Sequence, residues 1–341
     1  MSKSIVETIL VVKNRAMGDA IMGLSSIQYL KDNFPHAKII YMVPEWIYPL
    51  FKNVKNQADL IIPLKLKTVS NAFSLAKTIN KYKPQIVLEL FQSGRTAKFF
   101  QIHRLVGGYQ YLFHNHHLKK GESAILDQGE YKANTQRDLD GIWSHLFRDK
   151  KEEVPNHLDF IPTISPIKEI KKSKSIIFGV VATRETKMWP LNFYIDLAKM
   201  IKKDYPDISI DIPLGPGDNS IKKALSKENH LFNFIETSLE NLPHEIFHNQ
   251  LYVGNDTGIK HIAIALGIKS FTLFGPEPPL EWHPYDKQIH PYFYRENLEC
   301  RTRNAHYCGL TTCESMICLN QISPEQVFQG IKSELSRINN E

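Results

Sequence analysis

The sequence lacks the features of a membrane-spanning, secreted or disordered chain. None of its segments reaches the ~18 apolar residues that a transmembrane helix needs. The apolar run near the N-terminus is interrupted by Glu7 and Thr8 and is too short for a signal peptide. No segment is of low complexity, and 42% of the residues are hydrophobic. We therefore expect a folded, cytoplasmic protein.

Cysteine is scarce and confined to one end of the chain. The sequence contains four cysteines, and their C-x7-C-x4-C-x4-C spacing lacks the C-x2-C pairs that a zinc site usually shows. Free thiols, a structural metal and a local disulfide therefore remain open for these residues. They are Cys300, Cys308, Cys313 and Cys318.

Acidic residues are fewer than basic ones, which leaves a formal net charge of +6. This charge favours a polyanionic partner without choosing among a phosphate-bearing ligand, nucleic acid and an anionic membrane surface. The chain shows no nucleic-acid recognition motif, so we expect no nucleic-acid partner.

Strand-length apolar runs alternate with helical patterns in both halves of the chain, except over about residues 111–166, where the rhythm is lost. The alternation predicts an α/β fold with parallel sheets, and 341 residues suit two domains of ~150 residues each. The lysine-rich segment 168–175 marks the boundary between domains over 1–167 and 168–323. Residues 324–341 predict an amphipathic helix that begins at a Ser-Pro capping signal.

The first predicted strand passes into a helix through the segment Lys-Asn-Arg-Ala-Met-Gly-Asp, residues 13–19. Ligands of open α/β sheets bind outside this carboxyl edge, so Gly18 and Asp19 are candidate site residues. A helix N-cap is the alternative role for Asp19. The segment is neither G-x-G-x-x-G nor a Walker loop, which disfavours a nicotinamide dehydrogenase or a P-loop NTPase.

Segment 182–190 repeats this arrangement in the second half, with polar and basic residues between a predicted strand and a helix. Thr183, Lys187 and nearby backbone N–H groups are candidates for holding a diphosphate. The alternative is a solvated loop.

The strongest segment is 252–267, where a predicted strand ends in Gly-Asn-Asp-Thr-Gly and leads into a helix of small residues. A helix start exposes N–H groups that suit a phosphate. The alternatives are capping by Asp256 or Thr257 and a packed His261. A tight turn after the next strand is expected to line the same site. The candidates from both loops are Asp256, Thr257, Gly258, His261, Gly275 and Glu277.

These blocks, taken together, resemble glycosyltransferase family 9, the ADP-heptose:lipopolysaccharide heptosyltransferases. They are the Met-Gly-Asp turn, Thr-Arg-Glu-Thr-Lys-Met-Trp-Pro, and Asn-Asp-Thr-Gly-Ile-Lys-His before Leu-Phe-Gly-Pro, in the family's order. The resemblance implies a GT-B fold, in which two Rossmann-like, doubly wound domains face a central cleft. The N-terminal domain would bind the acceptor and the C-terminal domain the nucleotide sugar, with the helix over 324–341 crossing back to the N-terminal domain.

The resemblance also implies roles for individual residues. The family's general base falls on Asp19, and its phosphate-binding lysine falls on Lys187, with Thr183 beside it. The Asp-Thr-Gly-x-x-His block of the donor site falls on residues 256–261. The acidic residue that usually holds the ribose hydroxyls has no secure match in this chain, where Asp218 is a candidate.

The implied activity is inverting transfer of heptose from ADP-heptose to a lipopolysaccharide or lipooligosaccharide core acceptor, with no metal or other cofactor. Three alternatives remain: a different nucleotide sugar, a GT-B-like nucleotide-sugar epimerase, and a non-catalytic nucleotide-sugar-binding module. A lipid-anchored acceptor would bring the protein to the cytoplasmic face of the inner membrane, although no amphipathic anchor stands out. Basic residues at 95–104 either receive acidic groups of the acceptor or form a solvated helix face. They are Arg95, Lys98, His103 and Arg104.

Overall fold

The computed structural model describes residues 6–92, 94–115, 132–150, 153–300 and 312–341, which form two compact units. The first unit ends at Ile164 and the second begins at Ser165, close to the expected boundary after residue 167. The strands of the first unit are β1 (Thr8–Val12), β2 (Lys38–Pro44), β3 (Val54–Asn56), β4 (Leu60–Leu64), β5 (Ile86–Leu90) and β6 (Gln110–His114), with β7 (Ile164–Pro166) at the boundary. Its helices are α1 (Met17–Met22), α2 (Leu24–Asn33), α3 (Val69–Tyr82), α4 (Gly94–Gly107) and α5 (Asn134–Leu146).

The second unit alternates strands and helices in the same way. Its strands are β8 (Ser175–Gly179), β9 (Ser209–Leu214), β10 (Asn233–Glu236), β11 (Leu251–Asn255), β12 (Lys269–Phe274) and β13 (Tyr292–Tyr294). Its helices are α6 (Leu191–Asp204), α7 (Asn219–Leu225), α8 (Leu242–Phe247), α9 (Gly258–Ala265), α10 (Pro279–Trp282), α11 (Ile317–Asn320) and α12 (Pro324–Asn340). The predicted α/β class with parallel sheets is confirmed.

The first unit is built on a parallel sheet in the order β4-β2-β1-β5-β6. Its central strand, β1, is apolar and almost wholly buried, as a strand covered on both faces must be. The register places Ile9 of β1 opposite Ile39 of β2 and Ile86 of β5. The strand order reverses direction between β1 and β5, so a ligand is expected at the carboxyl ends of these two strands.

The second unit is built on a parallel sheet in the order β10-β9-β8-β11-β12-β13. Here the direction reverses between β8 and β11, which places a second expected ligand position at their carboxyl ends. In this pair Gly179 lies opposite Gly254. A Cβ atom at Gly254 would come within 2.6 Å of the backbone of Gly179, so the absence of a side chain allows this close approach.

The segment where the sequence rhythm is lost contains an edge strand and a helix of the first unit. β6 lies at the end of the described strand order, where it pairs with β5, and Tyr111 is the one buried residue of this strand. An edge strand of this kind does not produce the continuous apolar run that marks a buried strand. Helix α5 nevertheless buries Leu139 and Ile142.

The C-terminal helix, α12, begins at Pro324 with Ser323 as its N-cap, as the sequence predicts. Its apolar residues recur every three or four positions and lie in the core of the second unit, where α12 packs against α6. Contacts within the second unit, and not the expected crossing to the N-terminal domain, therefore bury the apolar face of α12. The buried residues are Val327, Phe328, Ile331, Leu335 and Ile338.

We expect Leu335→Ala to lower the free energy of unfolding by about 2–5 kcal/mol, because it removes a fully buried side chain and leaves a cavity. Ser333→Ala, at an exposed position of the same helix, is the matched control and should change it by less than about 0.5 kcal/mol. Urea denaturation measures both values. Equal values for the two variants would contradict the packing of α12 in the core.

Candidate active site

Three loops of the second unit meet at the carboxyl edge of its sheet. They follow β8, β11 and β12, which are neighbours in the parallel sheet. The first loop carries Lys187 in a short 3-10 helix, the second passes from Asp256 into α9, and the third carries Glu277. The sequence therefore correctly predicts that these polar segments share one edge.

The side chain of Asn255 fastens the loop after β8 to the end of β11. Its amide oxygen accepts a hydrogen bond from the backbone N–H of Trp189 at 2.9 Å, and its amide nitrogen donates to the carbonyl of Val180 at 2.8 Å. The Trp189 indole is fully buried and donates to the carbonyl of Ile322 at 2.9 Å. Because both ends of the loop are tied down, the position of Lys187 within it is restricted.

The carboxylate of Asp256 lies between two lysines. Lys187 Nζ is 3.0 Å from Oδ2, and Lys260 Nζ is 2.5 Å from Oδ1. Burial by itself would raise the pKa of Asp256, but the two lysines outweigh burial and hold that pKa below its ordinary value. Asp256 is thus an anion that organises two cations at the sheet edge.

Lys260 is a site residue that the sequence analysis did not single out. Its side chain is fully buried, donates to the carbonyl of Trp282 at 2.9 Å, and has its ammonium 4.9 Å from the centre of the Phe274 ring. Burial lowers the pKa of Lys260 to about 8, although Asp256 acts in the opposite direction. A lysine in a run of small apolar residues was the available signal, because such a charge stays buried only when it is paired.

His261 is buried beside this cluster. Its Nδ1 lies 2.7 Å from the hydroxyl of Tyr285, and its Nε2 lies 4.0 Å from Oδ1 of Asp256. Burial first, and then the charge of Lys260, lower the pKa of His261 well below its ordinary value, so the ring is neutral near pH 7. The surroundings of His261 in this structure are thus those of a packed histidine, which was the alternative to a ligand-binding role.

Glu277 pairs with Arg184 at the same edge. The Oε1 atom of Glu277 accepts a hydrogen bond from Arg184, whereas its buried Oε2 atom has no hydrogen-bond partner in the part of the chain that the structure describes. Burial raises the pKa of Glu277, and Lys187 and Arg184 oppose that rise. Gly275 is buried, and a Cβ atom there would meet the carbonyl oxygen of Thr186 at 3.0 Å, which indicates a packing role.

The other predicted donor-site residues lie at the carboxyl edge of the same sheet. Thr183 is exposed in the bend after β8, and Gly258 is the first residue of α9. Thr257 is the N-cap of α9, but its side chain makes no capping hydrogen bond. Asp218 accepts a hydrogen bond from the backbone N–H of Gly215 at 2.7 Å, so its carboxylate closes its own turn.

Asp19 lies at the carboxyl edge of the sheet in the first unit. The N-cap of α1 is Ala16, and Asp19 is the third residue of the helix, with Gly18 before it, so the capping alternative is wrong. The Asp19 side chain is buried, and its Oδ1 accepts a hydrogen bond from Asn134 Nδ2 at 3.2 Å. Asn134 begins α5, in the segment where the alternation of strands and helices is lost from the sequence. The sequence therefore gives no signal for this contact.

A second buried ionic cluster holds α5 in place. Lys13 Nζ is 2.5 Å from Oδ2 of Asp138, and His114 Nε2 is 3.2 Å from Oδ1 of the same residue. Asp138 is one helical turn beyond Asn134, so both side chains face the same way on α5. The cluster therefore positions Asn134 beside Asp19.

The basic residues predicted over 95–104 separate into two groups. Arg95, Lys98 and Arg104 are exposed on α4. His103 is buried, and its Nδ1 lies 3.0 Å from the hydroxyl of Tyr109. The expectation that His103 belongs to an exposed basic surface is therefore wrong, because this ring packs inward.

The cysteines do not form a metal site in the described segments. Cys300 and Cys313 are free thiols, and no group of three or more His, Cys, Asp or Glu residues in those segments is arranged to hold a metal ion. Cys308 lies outside the described residues. Within the described ranges, no helix has the length and apolar character needed to cross a bilayer.

Two parallel α/β units with polar loops at their switch points form the architecture of the GT-B fold, the fold of the solved glycosyltransferases with which this chain superposes. The model of glycosyltransferase family 9 (heptosyltransferase) matches residues 67–308, and the chain belongs to this family. The predictions of a GT-B fold and of a glycosyltransferase are thereby confirmed.

Several relatives match nearly the whole chain. Lipooligosaccharide heptosyltransferase 2 of Campylobacter jejuni is 24% identical over 332 residues, which cover 94% of this chain and 95% of that protein. The Haemophilus influenzae protein of the same name is 25% identical and covers 80% of this chain and 84% of its own length. Among solved structures, ADP-heptose LPS heptosyltransferase II of E. coli superposes with a TM-score of 0.70 at 18% identity, covering 97% of this chain and 99% of that one.

We expect Lys260→Met to lower the free energy of unfolding by about 3 kcal/mol, because Asp256 loses one of the two cations that compensate its buried charge. Asp256→Asn should also destabilise the protein, whereas the double variant should cost less than the sum of the two single variants. Urea denaturation of all four proteins completes this double-mutant cycle.

Lys269→Met is the matched control for Lys260→Met. Lys269 lies in β12 and pairs with Glu334 at 2.8 Å, but a third of its side chain is exposed. A partly exposed pair of this kind contributes less than about 1 kcal/mol. A similar loss in both variants, or strict additivity in the cycle, would contradict a coupled pair between Asp256 and Lys260.

Proposed function

We propose that this protein transfers a heptose from ADP-heptose to a lipopolysaccharide or lipooligosaccharide core acceptor, with inversion at the anomeric carbon. The observation that carries the proposal is the charge cluster in the second unit, where Arg184, Lys187 and Lys260 face two carboxylates. The three cations outnumber these two carboxylates, and the raised pKa of Glu277, to which burial and the neighbouring carboxylate of Glu281 contribute, weakens one of the negative charges. A nucleoside diphosphate is a ligand that matches this charge.

Related proteins support the choice of donor and acceptor. The E. coli heptosyltransferase WaaC has been solved with ADP, with a TM-score of 0.66 to this chain, and with ADP-2-deoxy-2-fluoro heptose, with a TM-score of 0.61. The Campylobacter and Haemophilus relatives are lipooligosaccharide heptosyltransferases, which supports a core oligosaccharide as the acceptor.

Lys187 is the cation that we assign to the donor phosphates. Its side chain is 16% exposed, whereas that of Lys260 is fully buried, so Lys187 can turn from Asp256 towards a phosphate while Lys260 remains on the carboxylate. The N–H groups at the start of α9 add partial positive charge at the same edge. These groups stabilise the leaving diphosphate, and the proposal includes no metal ion.

The proposed reaction is a single displacement. An acceptor oxygen bonds to the anomeric carbon while the bond from that carbon to the diphosphate oxygen breaks, and its electron pair leaves with ADP. The hydroxyl proton passes to the carboxylate of Asp19, which Asn134 orients. General-base help of this kind contributes about 10²–10⁴-fold. Oε2 of Glu277 is the acceptor that we assign to a sugar or ribose hydroxyl.

ADP-heptose and a heptose-deficient core acceptor test these roles in an assay of ADP release. We expect Asp19→Asn to bind donor normally but to lose about 10²–10⁴-fold in turnover, because the amide cannot accept the proton. Lys187→Ala should weaken ADP binding about tenfold or more, because a charged hydrogen bond to phosphate is lost. The matched controls are Asp32→Asn and Lys199→Ala, which change exposed residues and should leave both measurements unchanged.

Each alternative function has its own outcome in this experiment. Interconversion of the donor sugar without acceptor would indicate an epimerase. Donor binding without turnover in the wild type, and an Asp19→Asn variant altered only in stability, would indicate a binding module. Failure of ADP-heptose to bind would overturn the donor assignment, and UDP-, GDP- and CMP-sugars would then be compared.

A further inference from the structure

Helices α3 and α4 of the first unit expose an apolar surface that the proposed reaction does not use. Five of its side chains are between 69% and 83% exposed, although large apolar side chains are usually buried in a globular protein. We call this surface the α3–α4 face. Its exposed apolar residues are Val69 and Phe73 of α3 and Ile102, Leu105 and Val106 of α4.

A groove of about 780 Å³ lies between these two helices. Further apolar side chains, including Leu66 and Phe99, line it, so the exposed residues are the borders of a continuous apolar area. An apolar area of this extent on a folded protein marks a surface that binds another apolar phase or partner.

The two helices of the α3–α4 face, with the short segments that flank α3, carry charges of one sign only. Residues 65–84 and 94–107 contain eight lysines and arginines and no aspartate or glutamate, although the whole chain has 42 basic and 36 acidic residues. Three of the cations, Lys67, Arg95 and Lys98, line the groove itself. A carboxylate in an adjoining pocket, Glu45, pairs with Lys65 at 2.8 Å.

We propose that the α3–α4 face docks this protein on the surface of an anionic lipid bilayer. Apolar side chains within a ring of cations match a bilayer, whose acyl region lies beneath anionic headgroups. Each lysine or arginine near such a surface contributes about 1 kcal/mol. A second copy of this chain fits less well, because a symmetric contact through this face would bring its cations against one another.

Trp46 extends this surface towards the sheet edge. Its side chain is 60% exposed, and it lines an adjoining pocket that shares Leu66, Lys67 and Arg95 with the groove. Tryptophan favours the boundary between water and lipid, where one end of the ring is apolar and the other is polar. The same pocket reaches Asn14, just beyond β1, so the docking surface borders the edge that carries Asp19.

Sedimentation with lipid vesicles, without any sugar donor, tests the proposal. The wild type should bind vesicles of phosphatidylglycerol and phosphatidylcholine at least about tenfold more tightly than vesicles of phosphatidylcholine alone. Phe73→Ser with Leu105→Ser should reduce this binding about tenfold or more, because apolar insertion is lost. Lys98→Glu with Arg104→Glu should abolish the preference for the anionic lipid.

Two matched control pairs change the same chemistry elsewhere on the surface. Ile167→Ser with Ile289→Ser removes exposed apolar side chains, and Lys168→Glu with Lys171→Glu reverses exposed charges. Both pairs should bind vesicles as the wild type does. Brominated phosphatidylglycerol should quench a component of the tryptophan emission that disappears in Trp46→Phe.

Three outcomes would overturn lipid docking. The first is equal binding to neutral and anionic vesicles, and the second is an equal loss of vesicle binding in the test and control pairs. The third is a protein that does not bind vesicles and instead forms a lipid-free dimer, which Phe73→Ser with Leu105→Ser dissociates. Vesicle binding is measured without donor or acceptor, so its result is separate from the proposed sugar transfer. If the protein does transfer the sugar, Phe73→Ser with Leu105→Ser should lose turnover with an acceptor bound to vesicles. The same double variant should keep its turnover with a delipidated acceptor.

Discussion

The buried carboxylate of Asp256 is the interaction on which the organisation of the second unit's edge depends. It binds Lys187 from the loop after β8 and Lys260 from α9, and Lys260 in turn bonds to the carbonyl of Trp282 beyond β12. A single anion thus joins three loops that are far apart in sequence. Removing charges from water is costly, so this arrangement persists only because each charge has a close partner. The resulting arrangement holds two cations in defined positions at the sheet edge where we propose that the donor diphosphate binds.

The first unit solves the same physical problem with different residues. Asp138 is buried between Lys13 and His114, and this cluster fixes α5 at the carboxyl edge of the sheet. Helix α5 then presents Asn134 to Asp19. In both units a buried ionic group supports the position of a neighbouring side chain that we assign to chemistry, Lys187 in one and Asp19 in the other. Rigid support of this kind is what places reacting groups accurately.

Membership of glycosyltransferase family 9 and the α3–α4 face concern different properties of the protein. The family and the charge cluster bear on which ligands meet at the sheet edges. The exposed apolar surface bears on where the protein acts, since the acceptor that we propose is lipid-anchored and is therefore confined to a bilayer. Local sequence did not reveal this surface, because Phe73 and Leu105 belong to two helices whose individual patterns look ordinary. Only their packing side by side creates a continuous apolar area ringed by cations.

The sequence by itself determined the α/β class and the loops at the strand ends, because these follow from local periodicity and from the residues at each strand-to-helix junction. It also indicated Lys187 and Asp256 as candidate site residues, because each belongs to a motif within one short stretch of chain. The partners of these residues were decided by the tertiary structure. Lys260 binding Asp256, Asn134 binding Asp19 and the inward packing of His103 depend on which faces meet after folding. A buried polar or charged group needs a close partner, because its burial without one costs free energy. Which groups are buried is a property of the packed chain and cannot be read from local sequence.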